Sequence, residues 1–295
     1  MLFFLTSEFF NSENLFFLFS FFAFGTIIGS FLNVVIHRLP LAESIVFPNS
    51  HCPHCQSNIH FYDNVPVLSW LILRGRCRGC RAPISVRYPL VEFLTGVIFA
   101  IFFWHTGFSP LLPFELFFGA SMIVLIFIDA AHLYLPNVVN YPGLALALLL
   151  RLLFPLLLNA APFDDLAHPP LNRLNLPLWE ISLLGAFLGA LCGGGSLWLV
   201  GWIWEKLRSV EAMGLGDVKM MFYVGAFLGW RLTVLSIFLA ALVGAVIGIL
   251  QIATQKERRF DSKIPFGIFL GMGSMISMVF GGQLINWYLN TFIPN

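Results

Sequence analysis

Long apolar runs alternate with short polar stretches along most of the chain. Because about 20 apolar residues span the core of a bilayer, each long run is a candidate transmembrane helix. The runs fall at residues 15–36, 89–107, 114–133, 138–158, 179–204, 218–230, 232–253 and 265–290. The run at 218–230 is short and could form one broken element with its neighbour. The pattern predicts an all-α polytopic membrane protein with about eight transmembrane helices.

Composition agrees with this pattern. Of the 295 residues, 58% are hydrophobic and 11% are charged, whereas a soluble domain carries about 25% charged residues. A chain with so few charged residues cannot cover its surface with polar side chains, so a soluble globular protein is excluded. We expect the chain to be surrounded by membrane lipid. The net charge of +1 gives no indication of a nucleic-acid partner.

The basic residues predict the orientation of the helices. If the eight helices alternate in direction, thirteen of the sixteen Lys and Arg residues fall on one face, in loops after the first, fifth and seventh helices. Arg151, Arg173 and Arg231 fall on the other face. Basic loops stay in the cytoplasm, so the amino terminus is predicted to lie outside. No Lys or Arg precedes Arg38, so the first helix lacks the basic start of a cleaved signal peptide and is expected to remain.

The one long soluble-looking segment, residues 38–88, carries four cysteines in two pairs. Cys52-x2-Cys55 and Cys77-x2-Cys80 are separated by 21 residues, which is near the spacing of zinc ribbons. Each pair lets one tight turn aim two sulfurs at one point, so four thiolates can surround a tetrahedral Zn²⁺. Two disulfides or four unrelated thiols are the alternatives, but thiols stay reduced in a cytoplasmic loop. We predict a structural zinc site, because four cysteines leave no coordination position open.

The same loop alternates apolar residues with turn formers, which predicts a small zinc-held β domain. Glu92 follows the loop at the start of the second predicted helix. A carboxylate near a helix start is favoured by the helix dipole. We therefore expect Glu92 to pair with Arg87, with a role in a functional site as the alternative.

Two aspartates lie within or beside apolar runs, where ionisable residues are costly and indicate functional sites. Asp129 lies near the end of the third predicted helix, and Asp217 opens the sixth in the stretch EAMGLGDVKMM. The alternation of the helices puts both residues at the cytoplasmic face. The two carboxyl groups are therefore expected at one depth.

Two carboxyl groups at one depth suggest an aspartic peptidase pair, in which one activates a water and the other, protonated, polarises the scissile carbonyl. Gly214 and Gly216 would let the backbone of a substrate come close, because glycine has no side chain to obstruct it. The alternative is structural: Asp217 caps the sixth helix and Asp129 is a polar residue at a helix end. Either aspartate alone would favour that alternative.

Five segments, taken in order along the chain, resemble those of bacterial prepilin peptidases. They are GSFLNVVIHRLP at 29–40, the two CxxC pairs, ISVRYPLVE at 84–92, IDAAHLYLPN at 128–137 and GLGDVKMM at 214–221. The resemblance covers about residues 25–275. It indicates the polytopic GxGD-type aspartic peptidases of type IV pilus and type II secretion systems.

The resemblance implies that Asp129 and Asp217 are the catalytic pair. It implies cleavage of the basic leader of type IV prepilins or pseudopilins after glycine, at the bacterial inner membrane. It also implies N-methylation of the new amino-terminal residue with S-adenosylmethionine. The chain then divides into a first transmembrane helix at 1–37, a cytoplasmic zinc-binding loop domain at 38–88 and a transmembrane aspartic peptidase domain at 89–295.

The chain departs from the family pattern beside Asp129. Ala130 and Ala131 stand where many members carry Leu and an acidic residue, and Asn137 stands where many carry Asp. The position of the catalytic aspartate itself matches. No soluble glycine-rich nucleotide loop is present in the sequence, so the methyl donor follows from the resemblance alone.

Other classes of protein remain as alternatives. A secondary transporter would use intramembrane acids for protons or cations. Such proteins usually show internal repeats and broken helices at the bilayer midplane, whereas the two aspartates here are predicted near one face. A non-enzymatic scaffold would explain the cysteine loop but not the two aspartates. A presenilin-like GxGD protease would explain the aspartates but not the loop.

Overall fold

The computed structural model describes residues 12–48, 50–52, 54–160, 162, 171, 174–208, 213–254 and 265–292. Within these residues the chain is helical. The helices are α1 (Ser12–Arg38), α2 (Leu68–Ile72), α3 (Arg87–Thr106), α4 (Leu112–His132), α5 (Asn137–Leu158), α6 (Leu178–Ala190), a π-helix (Leu191–Gly195), α7 (Ser196–Arg208), α8 (Leu215–Leu228), α9 (Trp230–Thr254) and α10 (Phe266–Phe292).

The predicted helical membrane fold is confirmed. Each apolar run coincides with a helical element, and α6, the π-helix and α7 form one continuous element. In the described chain, seven elements are long and apolar enough to cross a membrane. The remaining one, α8, has 14 residues, or about 21 Å at 1.5 Å per residue, and the hydrocarbon core is about 30 Å thick. The short run in the sequence is thus a short helix, which Gly229 separates from α9.

The chain divides into two compact units, and the first ends at Val124. In this unit α1 packs along α3 through glycines. A β-carbon on Gly25 would lie 2.8 Å from the Cα of Gly96, and one on Gly29 would lie 2.7 Å from the Cα of Glu92. The two backbones therefore approach more closely than larger residues would permit, as small residues allow in membrane helices.

The second unit, from Leu125 onward, contains α8, whose carboxyl-terminal part is buried. Between Met220 and Leu228 every residue except Phe222 is buried, as expected for a helix that is apolar on all sides. Glycines again let two helices approach closely. A β-carbon on Gly189 of α6 would collide with the carbonyl oxygen of Gly225 in α8. Close packing therefore fixes the position of the helix that carries Asp217.

Arg151 of α5 is fully buried, at 0% exposed, and it binds the carboxyl end of α8. Its guanidinium donates to the carbonyl oxygens of Ala226 at 3.3 Å and Phe227 at 3.0 Å. The last carbonyls of a helix have no partner within the helix, and their partial negative charge attracts a cation. The predicted helix 138–158 already contained Arg151, and the structure adds that this residue is buried rather than at a surface.

Replacing Arg151 with Leu is expected to destabilise the second unit. Two carbonyls of α8 would lose a buried donor, and each unsatisfied polar group costs roughly 1–3 kcal/mol. Thermal unfolding of the purified protein in detergent measures the loss. Arg208→Leu is the matched control, because Arg208 is exposed at the end of α7. Equal melting temperatures for the two variants would show that the cap does not support the fold.

The cysteine loop contains no β-strand among its described residues, so the predicted β domain is wrong. Two isolated antiparallel bridges, His51–Asn58 and Arg76–Pro83, are all the sheet pairing that the described loop has. Each bridge closes the turn around one cysteine pair. The second cannot extend into a ladder at Pro83, because proline has no amide N–H to donate.

Candidate active site and cysteine cluster

Asp129 occupies the last turn of α4 and is 5% exposed. The helix ends just beyond it, where the amide of Leu133 donates to the carbonyl oxygen of Asp129 at 2.9 Å. Leu133 has a φ of 52°, the left-handed conformation with which many helices end. The end of α4 therefore holds a buried carboxyl group beside the turn that leads into α5.

Asp217 lies in the first turn of α8, three residues after the N-cap Gly214. Its amide donates to the carbonyl oxygen of Gly214 at 3.1 Å, and no side chain caps the helix. The structure thus does not support the alternative in which Asp217 is the cap. The Asp217 side chain is half-buried, so this carboxyl group is more accessible than that of Asp129.

The two carboxyl groups converge on Gly267, in the first turn of α10. A β-carbon on Gly267 would lie 2.7 Å from Oδ2 of Asp129 and 3.0 Å from Oδ1 of Asp217. The distance between the two oxygens is therefore at most the sum of these two distances. One water molecule can bridge about that separation with two hydrogen bonds. The fold therefore brings together two acids that are 88 positions apart in the sequence.

Gly216 and Gly214 lie beside the aspartates but face different surroundings. A β-carbon on Gly216 would lie 3.0 Å from Cβ of Leu135, so this glycine lets α8 approach the segment that follows Asp129. Gly214 is exposed, and the nearest atom to its β-carbon would be Oδ2 of Asp217 at 3.8 Å. Gly216 therefore has a packing role, and contact of either glycine with a substrate stays a prediction.

Gly267 is the residue that the sequence analysis missed. The sequence indicates only that a helix starts here. Pro265 and Phe266 precede the glycine, and proline is common where a helix starts. Glycine has low helix propensity, so its presence in the first turn of α10 needs another reason. No polar side chain marks the position, and the reason becomes visible only when α4 and α8 are in place.

Asn137, one of the departures from the family pattern, binds the helix that carries Asp217. Lys219 donates from Nζ to Oδ1 of Asn137 at 3.1 Å, and Nζ lies 5.8 Å from the ring centre of Tyr141. An amide oxygen accepts this hydrogen bond as a carboxylate would. Asn137 therefore links α5 to α8.

Glu92 does not pair with Arg87, so that prediction is wrong. Its Oε2 accepts the amide of Val67 at 2.7 Å, and Val67 has a φ of 61°. The ion pair of this loop joins Arg78 to Asp63 instead. The loop folds back over the start of α3 and presents a backbone donor to the carboxylate, which ties the loop to the helix.

The four cysteines of the loop form one cluster that could hold a metal ion. Their sulfur atoms all lie within 4.8 Å of one another. Sγ of Cys52 is 3.8 Å from Sγ of Cys80, and Sγ of Cys55 is 4.0 Å from Sγ of Cys77. The tertiary fold thus brings the two pairs together, as their spacing predicts.

Both cysteine pairs adopt the same turn. The amide of Gln56 donates to the carbonyl of Cys52 at 2.9 Å, and the amide of Arg81 donates to that of Cys77 at 3.1 Å. Gln56 and Arg81 have φ values of 56° and 60°. Each turn therefore closes with a left-handed residue four positions after its first cysteine, and each aims two sulfurs at the same point.

Hydrogen bonds favour the thiolate form of two of these cysteines. The side chain of Ser57 lowers the pKa of Cys55 to about 6, and the backbone of Cys80 lowers the pKa of Cys77. The backbone of Ala82 lowers the pKa of Cys80, but loss of solvation and the neighbouring sulfurs raise it, to about 11 in total. A bound cation would displace that remaining proton, because metal ligands must be deprotonated.

The fold and these sites define a multi-pass membrane protein with two converging carboxyl groups and a separate four-cysteine cluster. Residues 23–106 match the Bacterial Peptidase A24 N-terminal domain, and residues 116–249 match the Type IV leader peptidase family. Relatives named prepilin leader peptidase/N-methyltransferase include those of Stutzerimonas stutzeri, Aeromonas hydrophila and Pseudomonas aeruginosa. They are 34%, 35% and 33% identical, over 96%, 92% and 90% of this chain and 97%, 93% and 91% of their own. No solved structure matches the chain.

The chain therefore belongs to the type IV leader peptidase family, and the family indicated by its sequence motifs is confirmed. The matched segments include Asp129, Asp217 and all four cysteines of the loop. They end at residue 249, so Gly267 and α10 lie outside them.

Proposed function

We propose that this protein cleaves the basic leader of type IV prepilins or type II secretion pseudopilins after glycine, and then methylates the new amino-terminal residue. The observation that carries the proposal is the convergence of Asp129 and Asp217 on Gly267. The relatives' name, prepilin leader peptidase/N-methyltransferase, supports both the substrate class and the two activities.

Cleavage follows from the chemistry of two neighbouring carboxyl groups. They share one proton, because two like charges at this separation are unfavourable. The ionised carboxylate takes a proton from water as the water oxygen bonds to the scissile carbonyl carbon, and the protonated carboxyl donates to the carbonyl oxygen. The carboxyl group that took the proton then gives it to the amide nitrogen as the C–N bond breaks. The second carboxyl recovers its proton from the tetrahedral intermediate as the carbonyl re-forms.

The proposed location is the bacterial inner membrane, with the aspartates at the cytoplasmic face. This orientation is supported by the basic residues that follow the first and fifth predicted helices, which alternation assigns to one side whether or not the short α8 crosses, since basic loops stay in the cytoplasm. Basic prepilin leaders lie on the same side of the membrane, so the scissile bond would reach the level of the carboxyl pair. The half-buried side chain of Asp217 supports access from that side.

The cysteine cluster supports zinc as the metal, with Cys52, Cys55, Cys77 and Cys80 as ligands. Four sulfurs at 2.3 Å from a tetrahedral Zn²⁺ would be about 3.8 Å apart, and the two shortest separations given above are 3.8 and 4.0 Å. Four thiolates fill the coordination shell, so the ion would stabilise the loop and would have no open position for a substrate.

The proposed methyl donor is S-adenosylmethionine, which supplies an electrophilic methyl group when bound. The N-methyltransferase in the relatives' name supports this activity. The acceptor is the amine that leader cleavage releases, and it must lose a proton when the new C–N bond forms. Methylation therefore follows cleavage.

Mass spectrometry of a candidate prepilin incubated with membranes that contain the protein tests the proposal. With S-adenosylmethionine added, the product is expected to lose the leader and gain the mass of one methyl group. Without the methyl donor, the leader should still be removed. An uncut prepilin in both reactions would contradict the proposed function.

A further inference from the structure

We propose that the first turn of α10 is a third element of the active site, in which Gly267 positions the two carboxyl groups and must be glycine. This inference rests on the proposed peptidase function. It concerns a residue that lies outside the segments matched to the family. Gly267 acts through Asp129 and Asp217 and is therefore a positioning residue.

There is no space for a side chain on Gly267 unless a carboxyl group moves. A β-carbon on Gly267 would lie 2.7 Å from Oδ2 and 3.1 Å from Cγ of Asp129, and 3.0 Å from Oδ1 of Asp217. Non-bonded carbon atoms lie at about 3.5–4.0 Å from each other at their optimal separation, so even a methyl group has no room. Any side chain at this position would push one or both carboxyl groups away. Glycine therefore permits the separation on which a shared proton depends.

Asp129 is only 5% exposed, yet its Oδ2 has no hydrogen-bond partner within the described residues. This is the oxygen that points at Gly267. The backbone amides of Gly267 and Ile268 also interact with the Asp129 carboxyl group. Amides in the first turn of a helix have no partner within it and attract anions, so the start of α10 is a favourable surrounding for this carboxyl group.

The register of α10 against α4 places a second glycine at their contact. Gly271 lies one turn beyond Gly267, and a β-carbon there would be 2.7 Å from Cγ1 of Ile126. Ile126 in turn precedes Asp129 by one turn of α4. The two glycines, four positions apart, thus present one bare face of α10 to α4, as small residues do where membrane helices approach closely. This contact packs α10 against α4 one turn away from the carboxyl pair.

One consequence concerns the approach of substrate. The backbone of α10 closes one side of the carboxyl pair so tightly that no side chain fits there. Water and the scissile peptide must therefore approach from another side. Gly214 and Leu215, at the start of α8, are exposed beside Asp217 and mark such a side.

The test compares three glycine-to-alanine variants of the full-length protein in membranes, with a prepilin as substrate. Gly267→Ala is expected to lower kcat at least about 100-fold, because displacement of reacting groups by about 1 Å can cost that much. The KM for prepilin, the zinc content and the methylation of a peptide that already lacks its leader should not change. Gly282→Ala on the same helix is the matched control, because Gly282 has no atom within 4 Å of its β-carbon.

Gly271→Ala separates positioning from packing, because its methyl group would meet Ile126 and not a carboxyl group. It is expected to lower the melting temperature while kcat stays within a few-fold of the original. Unchanged cleavage by Gly267→Ala would overturn the inference, and so would equal losses of kcat in the Gly267 and Gly271 variants at equal stability. If the unsubstituted protein does not cleave prepilin, the proposed function itself fails, which distinguishes the two outcomes.

Discussion

Asp129→Asn is expected to leave prepilin uncut while the protein stays folded. Asparagine keeps the shape of the side chain, but its amide can neither take a proton from water nor share one with Asp217. Rates are expected to fall by several orders of magnitude, as when a member of a catalytic unit is removed. Cleavage in membranes, measured against the amount of folded protein, gives the loss.

The double variant Asp129→Asn/Asp217→Asn should be no worse than either single variant, because the pair acts as one unit. Asp165→Asn is the control: this residue lies outside the described residues, and the sequence predicts it on the outer face. Losses that multiply in the double variant would indicate that the two aspartates act separately, which contradicts a shared proton.

Replacing Cys52 or Cys77 with Ser is expected to release the metal and loosen the loop. Serine is a poor zinc ligand, and a cluster with three thiolates loses the closed shell that stabilises such sites. Metal analysis of the purified protein should find about one zinc per chain before the change and little after it. Limited proteolysis should then cut within the loop, while the membrane helices stay intact.

Cys192→Ser is the matched control for the cysteine variants, because Cys192 lies in the π-helix and outside the cluster. It is expected to retain the metal. Disulfides and no metal in freshly prepared reduced protein would contradict a zinc site. So would an equal loss of metal in the Cys192 variant.

The features that the sequence could predict depend on local patterns. An apolar run of about 20 residues must become a membrane helix whatever surrounds it, which is why the helix positions agree. The two cysteine pairs carry their own turns, so their meeting could be expected from spacing alone. The loop between the two pairs did not follow its local pattern. Each cysteine turn is closed by a single β-bridge that does not extend into a strand. Part of the alternating pattern that suggested strands lies in α2.

The features that the sequence could not predict depend on tertiary contacts. Arg151 counted only toward the charge of one face, because nothing local shows that the carboxyl end of α8 lies beside it. Glu92 was expected to pair with Arg87 because the two are close in sequence. Its carboxyl group instead accepts a hydrogen bond from the amide of Val67, which is distant in sequence. Gly267 has no side chain to draw notice, and its role depends on two carboxyl groups that come from other helices.

Asp217→Asn provides the most direct test of the central claim, that two aspartates form one cleaving pair. The side chain lies in the first turn of α8, where asparagine would fit the same space. The measurement is the mass of prepilin after incubation with membranes that contain equal amounts of folded variant or unsubstituted protein. If the two aspartates form one cleaving pair, the unsubstituted protein gives the leaderless product and Asp217→Asn leaves only the uncut precursor. Leaderless product from the variant at the normal rate would mean that Asp217 serves the helix alone and that no carboxyl pair carries out the cleavage.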